Sequence, residues 1–204
     1  MKQSDRTLRP RLIPALETQL ARIEPSIWSG AKYYPCSATL KSGTKLDCIY
    51  LVAQYAYMKT WGQYPPHEIA LENIIELRNS SFRLPAKFAT KLYEAGESGM
   101  GYSIFTVKFS GGSTQACKCG GAVDFVLYPD AKSSADVTDV EPHVGRDANL
   151  FYAPKFSVCL YSDADTERVF PLGLTRPMEM TRTSTWSRLR TRFRRRFSSA
   201  LPPE

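Results

Sequence analysis

Two histidines, His67 and His143, and five cysteines, Cys36, Cys48, Cys117, Cys119 and Cys159, are the residues best suited to nucleophilic or metal chemistry in this chain. Any His-dependent mechanism therefore has at most two candidates. His67-Glu68 is not a metalloprotease helix, which needs a second histidine one turn later, because position 71 is Leu. Ser98 in Gly96-Glu97-Ser98-Gly99 has its following glycine one residue away instead of two, so it misses the nucleophile elbow of a hydrolase. A cysteine activated by His143 and oriented by Asp139, Glu141 or Asp147 would require the fold to assemble them. The polar run Asp136, Asp139, Glu141, His143, Arg146 and Asp147 has the donor types of a ligand or hard-metal site, and equally those of a solvated loop.

Cys117-Lys118-Cys119-Gly120-Gly121 places one residue between two thiols. Structural zinc sites use two intervening residues, a turn that aims both sulfurs at the ion, and no second Cys or His pair follows here. No metal and no other cofactor are expected. An odd number of cysteines without an export signal points to reduced thiols, and Met1 to Arg6 has no apolar stretch behind its basic residues, so a cytoplasmic chain is expected. The apolar run Ile49 to Ala53 is far shorter than the roughly 20 residues of a membrane-spanning helix, so no transmembrane segment is expected.

The net charge of +7 is unevenly placed. Arg182, Arg188, Arg190, Arg192, Arg194, Arg195 and Arg196 lie in a stretch with no acidic residue; the other 20 of the 27 basic residues balance the 20 acidic ones. Trp186, Leu189, Phe193, Phe197 and Leu201 recur at helical spacing through the same stretch, with Ser184 or Thr185 able to cap it and Pro202-Pro203 to end it. Between Arg188 and Arg194 the alternation also fits a strand. Three roles suit this tail: a peripheral membrane anchor, with the apolar stripe in the headgroup boundary and arginines on anionic lipid; a nucleic-acid arm neutralising phosphates; or a solvated extension. Its candidate binding residues are Trp186, Arg188, Leu189, Arg190, Arg192, Phe193, Arg194, Arg195, Arg196 and Phe197.

The body must position whatever chemistry exists. Leu16, Leu20 and Ile23 share one face of a short leading helix over 15–23. Two β-rich runs, 36–41 and 46–52, flank Ser42-Gly43-Thr44-Lys45 and predict a hairpin. Tyr55, Tyr57, Trp61 and Tyr64 form an aromatic cluster with only Lys59 among them, which suits a core edge or partner surface better than base stacking. Residues 73–77 read as a strand. Pro85 and Gly96 bracket the main helix, with Phe88, Ala89, Leu92 and Ala95 facing inward. Three glycines in 96–101 follow that helix and precede a strand, so they cap and turn the chain instead of cradling phosphate. Further strands are expected at 102–109, 114–119, 123–127, 135–140 and 156–161, the first two joined by Ser110-Gly111-Gly112-Ser113.

With 43% hydrophobic and 12% aromatic residues the chain can build a core. The pattern predicts an α+β fold: a small antiparallel, hairpin-rich sheet or partly closed barrel with one main helix, plus a basic C-terminal tail. Residues 1–30 read as an N-terminal arm, 31–174 as a single domain and 175–204 as the tail. The function expected is non-catalytic binding or interaction, the tail contacting an anionic surface or a protein partner. Nucleic-acid binding through the tail and a Cys- or His-dependent enzyme are the alternatives.

Overall fold

The apolar run in the first half of the chain becomes the centre of a sheet buried on both faces. The structure, a computed structural model, describes residues 8–169. Its elements are α1 (Pro14–Leu20), β1 (Ser26–Trp28), β2 (Ala31–Leu40), β3 (Lys45–Ala53), α2 (Gln54–Trp61), β4 (Ile74–Arg78) and α3 (Ala86–Ala95). They continue with β5 (Ser103–Phe109), β6 (Thr114–Cys119), β7 (Val137–Pro142), β8 (Phe151–Tyr152), β9 (Ser157–Tyr161) and α4 (Ala164–Val169). Among the described residues no helix is long and apolar enough to cross a membrane. The basic stripe from Trp186 to Phe197 lies outside the described residues.

The first sheet runs β1-β2-β3-β9. β4 adds beside the C-terminal half of β2, while β1 occupies its N-terminal half. The period of two along β3 sends Ile49 and Leu51 into one core and Cys48, Tyr50 and Val52 into another. On the first side α1 inserts Leu16 and Leu20, with Ile23 just beyond its end, so the helical face expected there is buried. Burying each such aliphatic side chain contributes about 1.5–3 kcal/mol. β9 joins β3 in parallel, with Tyr50 beside Val158 and Val52 beside Leu160.

The second sheet runs β7-β5-β6-β8. The Gly111-Gly112 turn joins β5 to β6, both glycines at positive φ, and α3 covers one face with Phe88, Ala89 and Leu92. Pro85 precedes this helix, and Gly96 ends it at φ 78°.

The α+β class is the expected one, but the arrangement differs from a single antiparallel sheet or partly closed barrel. Among the described residues there are two sheets, and each contains one parallel pairing, β3 with β9 and β6 with β8. Residues 123–127 are not the strand expected. Their backbone forms one bridge, Arg83 with Phe125, through bonds from the Leu84 amide to the Asp124 carbonyl and from the Val126 amide to the Phe82 carbonyl. Ala95 is exposed, not inward-facing, because the last turn of α3 runs past the edge of the core.

Candidate functional site: an aromatic cleft between the sheets

Ser26, Tyr50, Tyr93 and Asp124 come from β1, β3, α3 and the irregular segment after β6, and they meet at one carboxyl group. Asp124 is fully buried; its Oδ1 accepts from the Ser26 hydroxyl, and its Oδ2 accepts from Tyr50 at 2.9 Å and Tyr93 at 2.5 Å. Burial pushes the Asp124 carboxyl upward, against the downward pull of the three hydroxyls and the nearby Arg83 guanidinium. Burial likewise pushes the Tyr50 and Tyr93 hydroxyls well up, so both remain protonated donors. An unpaired buried carboxyl costs several kcal/mol, so each donor here offsets a penalty that would otherwise open the structure.

Above this node lies a cleft of about 810 Å3. From the first sheet's side it is walled by Trp28, Tyr33, Tyr57, Trp61 and the Pro65-Pro66-His67 turn; from the second sheet's side by Lys118, Tyr102, Tyr152 and the connectors 119–122 and 153–156. Trp28 stacks on Tyr93, with centroids 5.4 Å apart and 22° between planes, and meets Trp61 edge-on at 4.8 Å. The Trp61 indole donates to the Tyr33 hydroxyl at 2.9 Å. Pairs of this kind contribute roughly 0.5–1.5 kcal/mol each beyond their burial. The connector can lie against the Trp28 ring because residue 121 is glycine: a Cβ there would sit 3.0 Å from the indole. The 65–67 turn is held by β9, since the Val158 amide donates to the His67 carbonyl and the Ile69 amide to the Val158 carbonyl. Arg9 braces the same turn by pairing with Glu68 at 2.6 Å and lying over the Tyr64 ring.

The loop 96–102 forms one lip of the cleft through Glu97, Gly101 and Tyr102. It is secured from behind: His143 Nδ1 lies 2.9 Å from Ser98 Oγ, His143 Nε2 lies 3.2 Å from the Ala95 carbonyl, and Arg146 donates to the Tyr102 hydroxyl and the Ser98 carbonyl, each at 3.2 Å. A Ser-His pair at this distance has the first ingredient of a nucleophile, but Ser98 Oγ also accepts from the Ile104 amide at 2.8 Å and sits 3.1 Å from the Ile104 carbonyl. These bonds close the loop onto β5, which makes Ser98 a clasp.

The polar run of the sequence is dispersed. Asp139 pairs with Lys91 at 2.7 Å, Glu141 with Lys108 at 2.5 Å, and Asp136 caps the turn at Ser133. His143 meets Ser98 in place of a cysteine, and His67 lies in the cleft wall. Cys117 and Cys119 enter the core beneath α3, and Lys118 between them reaches the opposite side. No group of three His, Cys, Asp or Glu side chains among the described residues is arranged to hold a metal. Of the cleft residues, the sequence signalled Tyr57 and Trp61 as a cluster. Trp28 and Lys118 lie on strands of antiparallel hairpins and gave no sign of a shared site, while Tyr152, Lys155 and Phe156 reach the cleft through the two parallel strand pairings and the connector between β8 and β9. No protein-family model, curated protein or solved structure matches this chain.

All five cysteines are buried. Burial pushes the Cys36, Cys48 and Cys119 thiols up to about 12 and Cys117 to about 11, and raises Cys159 as well. With folded values above the unfolded value near 8.5, the thiols contribute stability that is complete below about pH 8.5 and is lost as pH rises toward the folded values. Ellman's reagent at pH 8 should therefore label all five slowly in native protein and rapidly in denaturant, and unfolding should become easier above about pH 9. A single fast native thiol would revive the cysteine-enzyme alternative.

Proposed function

We propose that this protein is a non-catalytic binding protein whose cleft takes one small ligand with a flat, apolar body. The observation that supports this most is the concentration of aromatic rings around a cleft of about 810 Å3, a volume within the roughly 300–1,000 Å3 range of small-molecule sites. The rings are braced before any ligand arrives, which lowers the ordering cost of binding. Trp61 stays 42% exposed and Tyr152 64% exposed, so apolar surface at the rim remains available to a ligand. Five free cysteines suit a reducing compartment such as the cytoplasm.

The neutral fluorophore phenylnaphthylamine tests this reading on the full chain. It should bind saturably with one-to-one stoichiometry and receive energy from the tryptophans, and Trp61→Ala should weaken it about fivefold or more while leaving the far-ultraviolet circular dichroism unchanged. Absent binding, or affinity indifferent to Trp61→Ala, would reject the cleft as a ligand site.

The tail supports a second, compatible role. Seven arginines within 182–196, interleaved with Trp186, Leu189, Phe193 and Phe197, suit contact with an anionic surface, lipid in the first instance and nucleic acid or an acidic partner as alternatives. Vesicles containing phosphatidylserine should sediment the full chain at low salt and fail to sediment a chain lacking 182–204. Equal sedimentation of both would remove the tail from the account. Salt-sensitive RNA binding without vesicle binding would move the target to nucleic acid.

A further inference from the structure

We infer that the cleft selects anions, and that Lys118 is the residue that recognises the negative group of its ligand; this rests on the cleft being a ligand site. Lys118 is half-buried near the C-terminal end of β6, with the thiols on either side turned into the core. Its ammonium lies 4.9 Å from the Tyr102 ring centroid and 5.8 Å from that of Tyr152. Six ion pairs occur among the described residues, and neither Lys118 nor Lys155, the second lysine of the cleft wall, belongs to one.

The cleft's carboxylate, Glu97, is turned back on its own loop and accepts from the Gly101 amide at 2.9 Å. Glu68, on the turn behind, is taken by Arg9. The Lys118 ammonium thus stands among cleft rings, with Lys155 on the exposed part of the same wall, against one lining carboxylate that already has a donor. Ring faces hold a cation with about 0.5–1 kcal/mol at exposed sites, less than a charge-assisted hydrogen bond to an anion in the same partly dehydrated place.

The distribution of charge sets the ligand's shape. Lysines stand on the second sheet's side, while Trp61, Tyr57 and the prolines form an apolar wall on the first sheet's side. A molecule that satisfies both carries a carboxylate, sulfonate or phosphate at one end of a planar apolar body. The volume suits a single molecule of this kind.

Two probes separate this inference from the reading beneath it: the sulfonated fluorophore ANS and the neutral phenylnaphthylamine, both titrated into the full chain. Lys118→Met, which keeps much of the apolar stem, should weaken ANS about fivefold or more and change the neutral probe less than about twofold; Lys118→Arg should restore ANS binding. The basic tail is identical in all three proteins, so its contribution to ANS binding cancels. ANS affinity unaffected by Lys118→Met, or equal losses for both probes, would overturn anion selection and leave the cleft intact. Failure of both probes to bind the parent protein would instead overturn the cleft reading itself, and the anion reading with it.

Discussion

A carboxyl group with no exposure to water must be satisfied from within the protein, and in this fold that requirement joins four separate stretches of chain. Asp124 draws hydroxyls from Ser26, Tyr50 and Tyr93. These groups sit on β1, β3 and α3, so one side chain links the first sheet to the helix that covers the second. Its main chain contributes too, because the Asp124 carbonyl accepts from Leu84. The cleft inherits its shape from this arrangement. Tyr93, held by Asp124, offers its face to Trp28, Trp28 supports Trp61, and Phe125 packs on Tyr50 with centroids 4.9 Å apart.

Local patterning was legible wherever the physics is local. The β2-β3 and β5-β6 hairpins follow from turn glycines between β-rich runs, and α3 follows from a proline before it, a glycine after it and an apolar stripe between. The parallel partners were not legible. β9 pairs with β3 across about a hundred residues, and a short apolar run carries no mark of its partner or its direction. Residues 123–127 misled for a related reason. Val123, Phe125 and Val126 are buried in the core as their apolar side chains demand, but their backbone bonds run to 82–84 and to the Tyr93 hydroxyl instead of along a strand ladder.

The same logic explains the site. Tyr57 and Trp61 lie one helical turn apart on α2 and could be seen as a cluster, whereas Lys118 looked like a spacer between two cysteines. Once β6 is built, alternation turns that spacer outward and places its ammonium between Tyr102 and Tyr152. The aromatic cluster, with only Lys59 among it in the sequence, shares its cleft with Lys118 and Lys155 from distant segments. Cationic character therefore occurs in two settings with different physics: a braced cleft with a few fixed charges, and an arginine-rich stretch whose charge is set by composition.

The Asp124 node holds the cleft together. The most direct measurement is the thermal stability of Asp124→Asn together with its near-ultraviolet circular dichroism, which reports the packing of Trp28 and its neighbours. An amide in that place presents its own donors to hydroxyls that need acceptors. Asp124→Asn should lose about 2–4 kcal/mol and show a weakened aromatic signal, with far-ultraviolet content largely retained below the melting point. A variant that melts with the parent protein and keeps its aromatic spectrum would contradict that role for Asp124.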